Sequence, residues 1–178
     1  VINPLVLRIE GHRELWSNQS KAFVRIALPS DRFIMRTLVL GIGSPIMCDD
    51  AIGLRVLGEL ATLNLEGVDL EEVCASGLDL IEIMMDYDRV IIVDAIIDSG
   101  HPPGTVMILG TEAFADTVHG TNPHEANIAT TIELGRRLQP DRFPGDIKFV
   151  AVEVKDVYTV TEQMTPEVEA ALPEAVET

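Results

Sequence analysis

From residue 37 onward the chain alternates between two hydrophobic rhythms. Short, mostly apolar runs at 37–42, 89–97, 105–109 and 147–154, and the stretch 68–73 after the break at 64–67, read as strands. Between them apolar residues fall at helical spacing. Ile52, Leu54, Val56, Leu57, Leu60 and Leu63 predict a helix over 50–63; Leu80, Ile81, Ile83, Met84 and Met85 predict one over 78–87; Ile128, Ile132, Leu134 and Leu138 predict one over 125–138. A last helix is expected to start at Pro166, with proline in its first turn, and to end or kink at Pro173.

Strand and helix in alternation imply a parallel sheet covered by helices on both sides. One link breaks the rule. Residues 98–104 are too few for a parallel crossover, so the strand at 105–109 is expected to run antiparallel to the one at 89–97. The predicted fold class is α/β: a three-layer sandwich with a mostly parallel, mixed five-stranded sheet, one antiparallel strand, and helices on both faces.

Composition narrows the setting. A chain of 178 residues with 47% apolar content suits one well-packed domain, and no apolar run is long enough for a membrane span. The N-terminus lacks the order of a secretory signal. Two cysteines, Cys48 and Cys74, make no disulfide framework; both are expected to be packing residues in a reduced, cytoplasmic protein. A net charge of −16 argues against nucleic acid and favours a partner with a basic segment. Oligomeric state is not legible. The charge is uneven: residues 1–36 carry +3 and the remainder −19. The break falls beside Met35. Residues 1–34 therefore read as an N-terminal appendage, either translated from an upstream start or a true extension with strands near 5–9 and 22–28. Residues 35–178 form the domain.

The candidate chemistry gathers around 38–53. An apolar run leads into Gly41 and Gly43, expected to turn the backbone, and then into Asp49 and Asp50, where a helix start favours negative charge. In an open α/β sheet, ligands bind beyond the carboxyl ends of the strands where strand order reverses. That rule places Asp50, after the first strand, beside Asp94, near the end of the third. Asp94 is an ionisable residue in an otherwise apolar run, costly to bury without a partner; capping the following loop is its structural alternative. His124 opens the helix after a long polar loop, with a solvated loop histidine as the alternative. Two carboxylates and an imidazole form a mixed oxygen and nitrogen set suited to nickel, zinc or iron, and the residue types do not choose among them. A dinucleotide site is disfavoured, because Ile46 stands where the third glycine belongs and Pro45 removes a backbone donor. No Ser-centred nucleophile elbow is present.

Taken together these motifs resemble the hydrogenase maturation protease family, endopeptidases that trim the C-terminal extension of [NiFe]-hydrogenase large subunits. The likeness runs from about Met35 to the C-terminus. The family's G-x-G-N-x-L-x-x-D-[DE]-x-x-G turn is represented by Gly41-Ile42-Gly43-Ser44-Pro45-Ile46-Met47-Cys48-Asp49-Asp50-Ala51-Ile52-Gly53. Its Gly-Thr-x-Gly-x-x-Leu turn is represented by Cys74-Ala75-Ser76-Gly77-Leu78-Asp79-Leu80, its I-I-x-D-A strand by Ile91-Ile92-Val93-Asp94-Ala95, and its S-x-H loop by Asn122-Pro123-His124.

The resemblance implies that Asp50, Asp94 and His124 contact metal and that Asp50 and Asp94 serve the hydrolysis of an aspartyl-type endopeptidase. It implies nickel brought by the substrate, a site that zinc or cadmium could also occupy, and a [NiFe]-hydrogenase large-subunit precursor as partner, activated by the cut. Ser44 for Asn, Ile46 for Leu, Cys74-Ala75 for Gly-Thr and Asn122 for Ser depart from the pattern, and bear on substrate choice more than on activity. A phospho-receiver signalling domain is the alternative, with Asp94 as acceptor, an acidic pair at Asp49 and Asp50, and Lys155 after the last strand. It gives His124 no role and expects the fourth strand to be parallel.

Overall fold

The computed structural model describes residues 8–9, 12–13, 35–74, 77–114 and 123–178, with side chains over 35–74, 77–113 and 128–178. The chain divides into two units, Val1–Ile34 and Met35–Thr178. In the first, β1 (Arg8–Ile9) and β2 (His12–Arg13) pair antiparallel, Arg8 opposite Arg13. The strand expected near 22–28 lies outside the described residues.

The second unit is built on a five-stranded sheet. β3 (Thr37–Ile42) is flanked by β4 (Val68–Val73) and β5 (Arg89–Ile97), both parallel to it. β7 (Asp146–Val154) lies parallel beyond β5, and β6 (Val106–Gly110) closes that side antiparallel to β7, giving the order β4-β3-β5-β7-β6. The direction of β6 is the one its short connection requires. Its neighbour is β7, which inserts between β5 and β6.

Side-chain alternation explains the layers. Leu38, Leu40, Ile42, Val90, Ile92, Ile147 and Phe149 face α2 (Asp79–Met84) and α3 (Pro123–Leu138), burying Leu80, Met84, Ile128 and Ile132. Val39, Val93, Val150, Val152 and Val154 face α1 (Ile52–Leu60) and α4 (Pro166–Glu177), burying Ile52, Val56, Val168 and Leu172. Each fully buried aliphatic side chain contributes about 1.5–3 kcal/mol. The result is the expected three-layer α/β sandwich.

Three local expectations are corrected. The predicted helix over 50–63 is an α-helix only at Ile52–Leu60, with 3-10 turns at Cys48–Ala51 and Ala61–Leu63. α4 continues through Pro173 to Glu177. Pro173 is exposed, so water can take up the carbonyl that its missing N–H leaves free, while Leu172 and Ala175 hold the last turn in the core. Cys48 is buried as expected, but Cys74 is exposed at the end of β4.

Candidate functional site at the carboxyl edge of the sheet

The chain reverses across the sheet between β3 and β5: α1 carries β3 out to β4, and α2 brings the chain back to β5. Two glycines set how closely α1 approaches that point. A Cβ on Gly53 would strike the carbonyl oxygen of Ile42 and stand 2.6 Å from that of Val93. Gly41 lies inside β3 rather than in the turn, and a Cβ there would stand 2.6 Å from the Gly53 carbonyl oxygen. The role of Gly41 is therefore close helix–sheet packing. The turn itself falls to Gly43, at φ 144°, where a Cβ would collide with the Asp50 carbonyl oxygen.

This packing decides where the carboxylates go. Asp50 precedes Gly53 by one turn, and Asp94 follows Val93 in β5, so both stand at the carboxyl edge on either side of the switch point. Asp50 is half-buried, and its N–H donates to the Met47 carbonyl at 3.0 Å. Asp94 is half-buried opposite Ala151, and its Oδ1 accepts the Ala95 N–H at 2.9 Å. By alternation it shares the face of Ile92, the face that α3 covers. His124 is the second residue of α3. Because α3 leads into the start of β7, its first turn belongs to the carboxyl edge. The His124 side chain lies outside the described residues. Among the described residues no three His, Cys, Asp or Glu side chains form a metal-holding group. Asp50 and Asp94 carry hard oxygen donors, and an imidazole would complete a borderline set.

Asp49 does something other than charge a helix start. It is 0% exposed. Its Oδ1 accepts the Thr165 N–H at 2.6 Å, and its Oδ2 accepts the N–H groups of Asp156 at 3.1 Å and Lys155 at 3.3 Å and the Thr165 hydroxyl at 3.0 Å. It thereby ties the turn carrying Asp50 to the end of β7 and the start of α4. Next to it, Cys48 takes a left-handed backbone (φ 48°), and burial, with Asp49 beside it, pushes its thiol pKa up.

Glu153 escaped the sequence reading. It is buried in β7, and its Oε2 accepts the Ser99 N–H at 3.3 Å and, more closely, the Ser99 hydroxyl. Ser99 Oγ also meets His101 Nδ1 at 3.1 Å. The loop leaving β5 is thus clasped to β7. The cue was the one that marked Asp94, an acid inside an apolar run. Lys155 Nζ bonds Glu167 Oε1 at 2.7 Å, and that pairing holds the Glu167 carboxyl below its ordinary range. The lysine a receiver domain would direct at its acceptor is therefore engaged elsewhere, and β6 is antiparallel; neither favours the receiver alternative.

Comparison with known proteins agrees with the fold and the motifs. The family model described as hydrogenase maturation protease matches residues 55–178. The hydrogenase 2 maturation protease of Escherichia coli (strain K12) is 32% identical over 146 residues, covering 80% of this chain and 87% of that protein. Among solved structures, the hydrogenase maturating endopeptidase HybD from E. coli superposes with a TM-score of 0.71 at 32% identity, over 80% of this chain and 88% of that one. The [NiFe] hydrogenase maturation protease HybD from Thermococcus kodakarensis gives 0.66 at 26% identity, over 80% and 95%.

Proposed function

The chain belongs to the hydrogenase maturation protease family, and from that premise we propose that it removes the C-terminal extension of a [NiFe]-hydrogenase large-subunit precursor once nickel has been inserted. Membership makes it a peptidase, a hydrolase of hydrogenase maturation. The finer reading rests on the site. The observation that carries it is the Gly53 contact with Ile42 and Val93, which brings the turn bearing Asp50 against the strand bearing Asp94.

In this reading nickel belongs to the substrate. Asp50, Asp94 and His124 offer three side chains to an ion whose other ligands the precursor provides. A bond that forms only when nickel is present discriminates loaded from empty precursor. The same contact holds the peptide beside Asp50 and Asp94. One of these carboxylates takes a proton from water as it attacks the scissile carbonyl; the amide C–N bond breaks, and the proton passes to the leaving amine. Zinc or cadmium fits the same donor set as an inhibitor. No helix among the described residues is long and apolar enough to cross a membrane.

The test incubates the protein with nickel-loaded and nickel-free precursor and weighs the products. Loss of a C-terminal peptide from the loaded form alone is expected. An intact loaded precursor would overturn the proposal.

A further inference from the structure

Beside Asp50, two segments from opposite ends of the domain lie side by side. Met47 bridges Thr161 in parallel; the Thr161 N–H donates to the Ile46 carbonyl at 2.9 Å, and the Cys48 N–H donates to the Thr161 carbonyl at 2.9 Å. That register sets Ile46 opposite Val160, with side chains on one side of the ribbon. Ile46 is 50% exposed, Val160 73% and Tyr158, two residues earlier, 77%. The platform is braced rather than loose. Asp156 Oδ1 accepts the N–H groups of Tyr158 at 3.0 Å and Thr159 at 2.9 Å, and its Oδ2 accepts the Thr159 hydroxyl at 2.6 Å. The Asp156 N–H is in turn held by buried Asp49, and the Asp49 N–H by the Asp156 carbonyl at 3.0 Å. An exposed apolar group costs nothing when isolated, but a pre-ordered apolar strip, here Ile46 beside Val160 with exposed Tyr158 two residues before on the braced turn, is how recognition surfaces are built.

We propose that Ile46, Tyr158 and Val160 form the docking subsite for an apolar, basic-flanked segment of the precursor, next to the carboxylates that meet its nickel. The proposal rests on the function above and names where its substrate is held. Three observations choose the occupant. The platform adjoins the turn that carries Asp50: Met47, whose carbonyl accepts the Asp50 N–H, is the residue that bridges Thr161. Its surroundings are acidic: no Lys or Arg occurs in 37–54 or after Lys155, whereas Asp156 and Glu162 flank the apolar residues. A second copy of this chain brings a net charge of −16 to the same acidic face, which disfavours it relative to a basic segment. The area also fits a segment: three side chains present on the order of a few hundred Å², well below the roughly 1,000 Å² of a stable interface.

The test measures cleavage of nickel-loaded precursor by the full chain and by a Tyr158→Ser/Val160→Ser variant, with circular dichroism as the check on folding and light scattering for mass. Both positions are exposed, so the fold should persist. We expect KM to rise about tenfold or more while kcat stays within about twofold. If the unsubstituted protein cleaves and the variant keeps its KM, the docking subsite is wrong and the function stands. If the unsubstituted protein fails to cleave, the function falls and the subsite with it. A dimer that the substitutions dissolve would assign the patch to a second copy and overturn the proposal.

Discussion

The two ends of the sheet treat their acids differently. At the amino edge charges are paired with cations. Asp86 binds Arg142 through two hydrogen bonds, at 2.9 and 2.6 Å; Arg89 binds Asp146 at 2.7 Å; Arg36 reaches Asp69 at 3.4 Å and lies over the Tyr87 ring at 4.7 Å. The Arg142 guanidinium holds the Asp86 carboxyl below the usual carboxylate range. At the carboxyl edge Asp49, Glu153 and Asp156 take their hydrogen bonds from backbone N–H groups and from hydroxyls of Thr165, Ser99 and Thr159. Dipoles satisfy a carboxylate without cancelling its charge. The amino edge thus pairs its acids with cations, whereas the carboxyl edge, apart from the Lys155–Glu167 pair, satisfies Asp49, Glu153 and Asp156 with dipoles, an acidic setting suited to a cation that arrives with a substrate.

Substitutions break this contrast in graded ways. The largest effect belongs to Asp94→Asn, which removes a charge from the site and keeps its shape. Cleavage should fall by about 10³-fold or more with an unchanged circular dichroism spectrum; retained activity would show that the site lies elsewhere. Asp49→Ala comes next. It leaves three N–H groups and a hydroxyl without their acceptor in a buried place, at a cost of about 3 kcal/mol, read as a lower urea midpoint. It should also disturb Asp50, because Asp49 anchors that turn.

The smallest effect is expected at the other end. Arg142→Ala breaks an exposed pair and should leave cleavage within about twofold. Its pH signature follows from the depressed Asp86 pKa. The contribution of the pair is fully present above the unfolded Asp value, about 3.9, and is lost as pH falls through the lower folded value. Urea midpoints of the parent and Arg142→Ala should thus differ by a constant amount from pH 7 to 5 and converge in strong acid.

Much of this was legible in the sequence. β3 and β5 occur at the residues their apolar runs predicted, because strands inside a parallel sheet leave a near-continuous apolar signature, and the edge strand β4 falls at its predicted residues 68–73 after the break at 64–67. The placement of Asp50 and Asp94 beside the reversal is expected because the first and third strands commonly flank that point in open α/β sheets, and the short 98–104 link gives the direction of β6. What stayed hidden depends on contacts far apart in the chain. Asp49 reads as a helix-start charge until Thr165, 116 residues away, is seen to enclose it. Gly41 reads as a turn residue until the helix it admits, packed close through Gly53, is in place. Pro173 reads as a stop because local propensity says nothing of Leu172 and Ala175 packing in the core. β7 between β5 and β6 is a choice of neighbour that no local pattern encodes.

The central claim is that Asp50 and Asp94 read the metal carried by the precursor. The most direct measurement compares the affinity of the protein for nickel-loaded and nickel-free precursor, before and after the double substitution Asp50→Ala/Asp94→Ala. The unsubstituted protein should bind the loaded form at least about tenfold more tightly, and the variant should bind both forms alike. Equal affinities in the unsubstituted protein, or a preference that survives the double substitution, would contradict it.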